Sequence, residues 1–179
     1  MKIGTIKVKR NYHIAQIVLD AAAVIILIII VQGVISFGTY ISEINANIQK
    51  YAPDTVGLIE WWWNTVWIVI AAIVVAASLL MIYLPHKMPK KYIVNEVNAQ
   101  KYSDIFITAV TCVRIPVLLV VFEGMCIHQS LLTGMTDGIF TLQIPLDILF
   151  ALIIIRFSTH RIRLTQPKPE EKTIEMKEN

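Results

Sequence analysis

Two residues of opposite charge lie inside long apolar stretches of this 179-residue sequence. Arg114 comes about nine residues after the start of one stretch, and Asp147 comes about eight residues before the end of the next. If both stretches cross a membrane as helices rising ~1.5 Å per residue, the two charges lie at similar depths of roughly 13.5 and 12 Å. Because an isolated charge at the centre of a bilayer costs roughly 2.5–3.5 kcal/mol, we predict that Arg114 and Asp147 form an ion pair.

The predicted pair has a structural and a functional interpretation. As a static clamp, it fixes the register of two neighbouring helices. As a working site, Asp147 binds a proton, a cation or a charged substrate group and releases Arg114 in one state of a transport cycle. A third hypothesis pairs either charge with a separate subunit. The sequence leaves all three open.

Further residues near the pair are candidates for lining such a site. Gln143 lies one helical turn from Asp147 and shares its face. Pro116 and Pro145 each lie two residues from one of the charges, and each removes a backbone hydrogen bond and tends to kink its helix. Glu123 is predicted to be an interfacial carboxylate. No pattern of catalytic or metal-ligating residues is recognisable, so we predict no catalytic site, no metal and no cofactor.

The composition excludes an ordinary soluble domain. Hydrophobic residues make up 56% of the chain and charged residues 16%, against ~45–50% and ~25% in soluble proteins. The charges concentrate at the two ends and in one central segment. Anchoring to a membrane explains these basic segments, so the expected partner is the lipid bilayer and not nucleic acid.

Four stretches are long enough to cross a bilayer as helices, which takes about 20 apolar residues. They run over about 14–37, 65–84, 105–125 and 139–155. None alternates as a barrel strand does, so the predicted fold is an all-α polytopic membrane protein with one four-helix domain over residues 1–164. Residues 165–179 are polar and carry both signs of charge, which predicts a disordered tail.

The lysines and arginines predict the orientation in the membrane. They lie before the first stretch, between the second and third, and after the fourth, whereas the other two connections contain only Lys50. Cytoplasmic loops carry such an excess of positive charge. We therefore predict a multi-pass protein of the cell membrane with both termini in the cytoplasm.

Two features are predicted on the outer side. Four tryptophans cluster where the second stretch begins, which is typical of an anchor at the membrane interface: Trp61, Trp62, Trp63 and Trp67. The first outer connection has apolar residues at helical spacing and is predicted to form a short amphipathic helix that ends near Pro53: Ile41, Ile44, Ile48 and Tyr51.

Three functions are compatible with these features. The first is a non-enzymatic subunit or accessory protein of a larger membrane complex, which fits the small soluble mass. The second is a small transporter or channel that works as a homo-oligomer and uses the Arg114–Asp147 pair. The third is a membrane-embedded enzyme, which the scattered polar residues favour least. A membrane-protein partner or a second copy of the chain is expected in the first two cases.

Overall fold

The described part of the chain folds into four α-helices, and a pair of two-residue strands precedes them. A computed structural model describes residues 2–3, 6–8, 13–51, 62–83, 95, 97–133 and 139–166. Helices α1 and α2 span Ile14–Tyr51 and Trp62–Tyr83, and helices α3 and α4 span Ala99–Thr133 and Ile139–Leu164. Strands β1 (Lys2–Ile3) and β2 (Ile6–Lys7) pair antiparallel. The all-α prediction is thus confirmed for the four helices and lacked only these short strands.

All four helices are long and apolar enough to cross a membrane. Helix α1 has 38 residues and α3 has 35, which corresponds to roughly 57 and 52 Å at ~1.5 Å per residue. A hydrocarbon core is only ~30 Å thick. Both helices therefore extend well beyond the length that a single crossing requires.

The helices differ in length from the predicted membrane spans. The amphipathic segment that was predicted as a separate helix is the last part of α1, which continues without a break to Tyr51. Helix α3 starts six residues earlier and ends eight residues later than the predicted span of 105–125. Hydropathy marks only the apolar part of a helix, and backbone hydrogen bonding continues into its polar ends. The predicted tail, from residue 167 onward, and Trp61 lie outside the described residues.

Helix α3 is the central element and packs against each of the other three helices. Its buried line repeats in steps of three and four residues, as in coiled coils: Ser103, Ile107, Thr111, Arg114, Leu118, Val121 and Met125. Helix α2 contributes Asn64, Ala71 and Ser78 at intervals of seven residues. These stripes enclose an apolar core around Ile30, Leu118 and Met125.

Two glycines allow the helices to approach closely. A Cβ atom on Gly33 of α1 would lie 2.8 Å from the Cε atom of Met125 on α3. A Cβ atom on Gly124 of α3 would lie 2.8 and 2.9 Å from atoms of the Trp67 indole on α2. Both distances are shorter than real Cβ contacts, so the side chains of Met125 and Trp67 occupy space that only glycine leaves open.

Helices that follow one another in the chain run antiparallel, so α1 and α3 are parallel and the bundle has two distinct ends. We call the end with the start of α1 and α3 the basic end, and the opposite one the Trp67 end. At the basic end, Val8 packs with Ala99 and Tyr102 of α3 and Ile162 of α4. Helix α4 is attached mainly to α3, as predicted for neighbours joined by a short connection. Only 6% of its most apolar segment is buried, compared with 33% for α3.

Candidate functional site

The guanidinium of Arg114 is bound between α1 and α2. Its Nη2 atom forms an ion pair with the carboxylate of Asp20 on α1. Its Nη1 atom donates to the hydroxyl of Ser78 on α2 at 3.5 Å, and that hydroxyl donates to the carbonyl of Val75 at 2.7 Å. The Arg114 side chain is 3% exposed, whereas that of Asp20 is 47% exposed. One cation thus connects three helices.

The predicted pairing of Arg114 with Asp147 was wrong. Asp147 lies instead within side-chain hydrogen-bonding range of Glu123 on α3. Arg114 comes nine residues before Glu123, and nine residues of helix correspond to roughly 13 Å. The guanidinium of Arg114 binds Asp20 and Ser78, which lie on α1 and α2 and not on α4.

The count of residues along each stretch gave a depth but not a direction. It does not say which face of α3 carries Arg114. In the structure Arg114 lies on the buried line of α3, and its guanidinium reaches Asp20 on α1 and Ser78 on α2. The partner of Arg114 is therefore determined by the helix that this face meets, which is α1 and not α4.

A second polar contact lies one turn nearer the basic end than the Arg114 pair. The side-chain amide of Gln16 on α1 donates to the hydroxyl of Thr108 on α3 at 3.3 Å. Gln16 is buried, although it lies only two residues after the start of its helix. Together with Asp20, Ser78 and Arg114, these residues form an inner polar group that crosses the α1–α2–α3 interface.

An outer polar group lies near the Trp67 end. Asn64 of α2 is buried, and its amide donates to the carbonyl of Val34 on α1 at 3.4 Å. Gln129 of α3 donates to the Asn64 side-chain oxygen at 3.3 Å. The indole Nε1 of Trp67 donates to Nδ1 of His128 at 3.2 Å. Trp67 therefore connects α2 to α3, and its predicted role as an interfacial anchor stays a prediction.

An apolar layer separates the two polar groups. Leu118 is fully buried between them, and Val121 lies in the same core, together with Ile30 of α1 and Ala71 of α2. The hydrogen-bonded polar groups of the α1–α2–α3 interface are therefore interrupted by packed aliphatic side chains. The described residues contain no group of three His, Cys, Asp or Glu side chains that could hold a metal ion.

Glu123 and Asp147 form a third polar site, between α3 and α4. Glu123 is 2% exposed and Asp147 is partly buried. Their Oε2 and Oδ2 atoms are buried and receive no hydrogen bond from a donor in the described residues. Glu123 was expected at the membrane interface, but the structure buries it in a helix–helix contact. A carboxyl–carboxyl contact of this kind needs a proton or a cation, because two negative charges repel each other.

The other residues predicted from the sequence are one glutamine, two prolines and two tryptophans. Gln143 and Pro145 are exposed on the surface of α4, and Pro116 is buried in α3. Both prolines lie inside continuous helices. Trp62 and Trp63 belong to the first turn of α2, but their side chains lie outside the described part of the structure.

Sequence reasoning missed Gln16, Asn64, Ser78 and Gln129. A signal for two of them was present, because Asn64 and Ser78 lie fourteen residues apart, which is two repeats of a helix stripe with period seven. A polar residue on such a stripe faces another helix. The intervening Ala71 adds a small residue at the midpoint of the stripe, as expected where helices pack closely.

Comparisons with known proteins gave no match: no family, no curated protein and no solved structure is significantly similar to this chain.

Proposed function

We propose that this chain is a non-enzymatic subunit of a larger assembly in the cell membrane. It crosses the membrane four times and has both termini in the cytoplasm. The observation that carries the proposal is the exposure of α4. Only 6% of the most apolar segment of α4 is buried, against 17% for α1 and α2. Packed mainly against α3, α4 offers most of its circumference to a partner.

The rigid part of the bundle supports the same proposal. Arg114 connects α1, α2 and α3 through Asp20 and Ser78, and Asn64 connects the same three helices near the other end. Polar contacts at both ends hold these helices in one register. We infer that the three helices are a fixed frame, which presents α4 on one side.

The orientation in the membrane rests on the distribution of basic residues. The exposed arginines of α4, Arg156, Arg161 and Arg163, lie within its last nine residues, toward the basic end. Basic residues that flank membrane spans favour the cytoplasmic side. With the basic end in the cytoplasm, the Trp67 end lies at the outer surface.

Transport with Arg114 as the counter-charge of Asp147 is less well supported. Arg114 binds Asp20 instead, and the layer around Leu118 separates the inner and outer polar groups. A homo-oligomeric transporter would therefore need a path at the contact between copies. Photo-crosslinking of α4 distinguishes a homo-oligomeric transporter from a subunit of a larger assembly.

The test is site-specific photo-crosslinking in native membranes. A photoreactive amino acid replaces Leu149 or Leu152, which are exposed on α4, and the matched controls replace Ile25 or Ile28 on the exposed face of α1. Intact particles extracted in mild detergent are weighed by native mass spectrometry. We expect one stoichiometric protein partner, crosslinked from α4 but not from α1.

The other outcomes count against the subunit proposal. Crosslinks from α4 to a second copy of the chain would establish a homo-oligomer and favour the transport alternative. Crosslinks only to lipid, together with the mass of a single chain, would show that α4 is covered by the bilayer alone.

A further inference from the structure

The Glu123–Asp147 contact lies in apolar stretches of α3 and α4. On α3, no acidic or basic residue occurs between Arg114 and Glu123, and Asp147 is the first charged residue of α4. Arg156, the next one, comes nine residues later, which is roughly 13 Å along a helix. No cation of α3 or α4 is therefore close enough to balance two carboxylates.

The other helices supply no counter-charge either. Helix α1 has no charged residue between Asp20 and Glu43, and α2 has none in its whole length. The next titratable side chain along α3 is Cys126, three residues after Glu123, and a thiol carries no positive charge. His128 lies further along the helix and accepts a hydrogen bond from the Trp67 indole. The pair therefore has no positively charged neighbour among the described residues.

Two carboxyl oxygen atoms at this contact need a hydrogen-bond donor. Oε2 of Glu123 and Oδ2 of Asp147 are both buried, and both lack a hydrogen-bond donor in the described part of the chain. A carboxylate offers only acceptors, whereas a protonated carboxyl offers one O–H donor. A single proton on either group supplies the donor for the other and removes one of the two negative charges.

We propose that Glu123 and Asp147 form a proton-binding site, in which the two carboxyl groups share one proton between α3 and α4. The protonated group donates its O–H to the other carboxylate, and the pair carries one negative charge. This inference goes beyond the proposed function, because the site lies inside the chain and needs no partner.

The site has a consequence for the position of α4. Since α4 is attached mainly to α3, the shared proton belongs to the principal interface that holds this helix. Loss of the proton leaves two carboxylates in contact in apolar surroundings, where their repulsion is only weakly screened. Deprotonation is then expected to loosen α4 from α3 at this level, while the α1–α2–α3 contacts through Arg114 stay intact.

Carbodiimide labelling tests the proposal on the full-length protein. Dicyclohexylcarbodiimide reacts with protonated carboxyl groups in apolar surroundings, and peptide mass spectrometry locates the adduct. We expect labelling of Glu123 or Asp147 near neutral pH, at least about tenfold above that of Glu43, an exposed carboxylate of α1. Labelling no stronger than that of Glu43 would overturn the proposal.

Conservative variants then test whether the proton is shared. In Glu123→Gln, the amide donates to Asp147, which no longer needs a proton; labelling of Asp147 should fall about tenfold. Asp147→Asn should have the same effect on Glu123. Unchanged labelling of the remaining carboxyl would mean that each group is protonated independently, and the shared-proton site would be wrong.

Two further measurements use only the unaltered protein, so they do not depend on the folding of a variant. Infrared spectroscopy distinguishes the carbonyl stretch of a protonated carboxyl from the stretch of a carboxylate. Absence of the protonated-carboxyl band at neutral pH would contradict the proposal. Carbodiimide labelling of Glu123 and Asp147 is also compared in sodium chloride and in choline chloride. Weaker labelling in sodium chloride alone would identify a cation site instead of a proton site. Equal labelling in both salts supports the shared proton.

Discussion

Arg114 and Asp20 form an ion pair whose two members have very different surroundings. The guanidinium is almost fully buried between three helices, while nearly half of the Asp20 side chain is exposed. Ser78 is the second partner of Arg114, and the Nε atom of the guanidinium has no hydrogen-bond partner among the described residues. Arg114 therefore depends strongly on Asp20, whereas the Asp20 side chain is partly exposed on the surface of the bundle.

This asymmetry predicts unequal effects of single substitutions. Asp20→Asn leaves a buried guanidinium without its counter-ion and should lower the free energy of unfolding by about 1–3 kcal/mol. Arg114→Met leaves a carboxylate that is partly exposed on the surface of the bundle, and should cost less than Asp20→Asn unless packing suffers. Unfolding in mixed micelles, followed by tryptophan fluorescence, measures both.

A double-mutant cycle supplies the control. Arg114 and Asp20 should show a coupling energy of about 0.5–3 kcal/mol, whereas Arg114 and Asp147 should be additive within about 0.5 kcal/mol. Strong coupling between Arg114 and Asp147 would contradict the pairing seen in the structure and restore the one predicted from sequence depth.

The sequence predicted the number and the approximate place of the four helices because apolar length is a direct requirement of the bilayer. It did not predict the partner of Arg114. Depth along an apolar stretch does not say which face of the helix a residue occupies, and the face of α3 that carries Arg114 meets α1 and α2.

The buried polar residues were also hard to predict, for a different reason. Asn64, Ser78 and Gln16 are uncharged, so each can lie in an apolar helix without an obvious cost in the sequence. Their burial depends on which face of the helix meets another helix. That face is determined by close packing at positions such as Gly124, where the space for Trp67 depends on both helices at once.

Gly124 should therefore be sensitive to the smallest substitution. In Gly124→Ala, the new Cβ atom would meet the Trp67 indole at 2.8 Å. Overpacking of this kind typically costs 1–3 kcal/mol of stability, so we expect a loss of about 1–3 kcal/mol and a shift in tryptophan emission. Gly38→Ala is the matched control, because nothing lies within 4 Å of its added Cβ. Equal effects of the two substitutions would rule out the close contact between Gly124 and Trp67.

Asn64 should be the most sensitive polar residue near the Trp67 end. It is buried and binds both the Val34 carbonyl and the Gln129 amide. Asn64→Leu leaves the amide of Gln129 without its acceptor, and we expect a loss of about 1–3 kcal/mol in the free energy of unfolding. Asn47→Leu on the exposed face of α1 is the control and should change stability by less than about 0.5 kcal/mol.

The register of α3 against α4 can be measured directly with paired cysteines. Ala109 and Ser158 line the same cavities between the two helices. Ala109→Cys with Ser158→Cys, in a background with Cys112 and Cys126 replaced by alanine, should therefore be joined by a short bifunctional thiol reagent. Ala109→Cys with Leu152→Cys is the control, because Leu152 is exposed and lines neither cavity. Crosslinking of the Ser158 pair with little of the Leu152 pair supports the packing of α4 on α3 that the structure shows, and the reverse preference would show that α4 is shifted or rotated against α3.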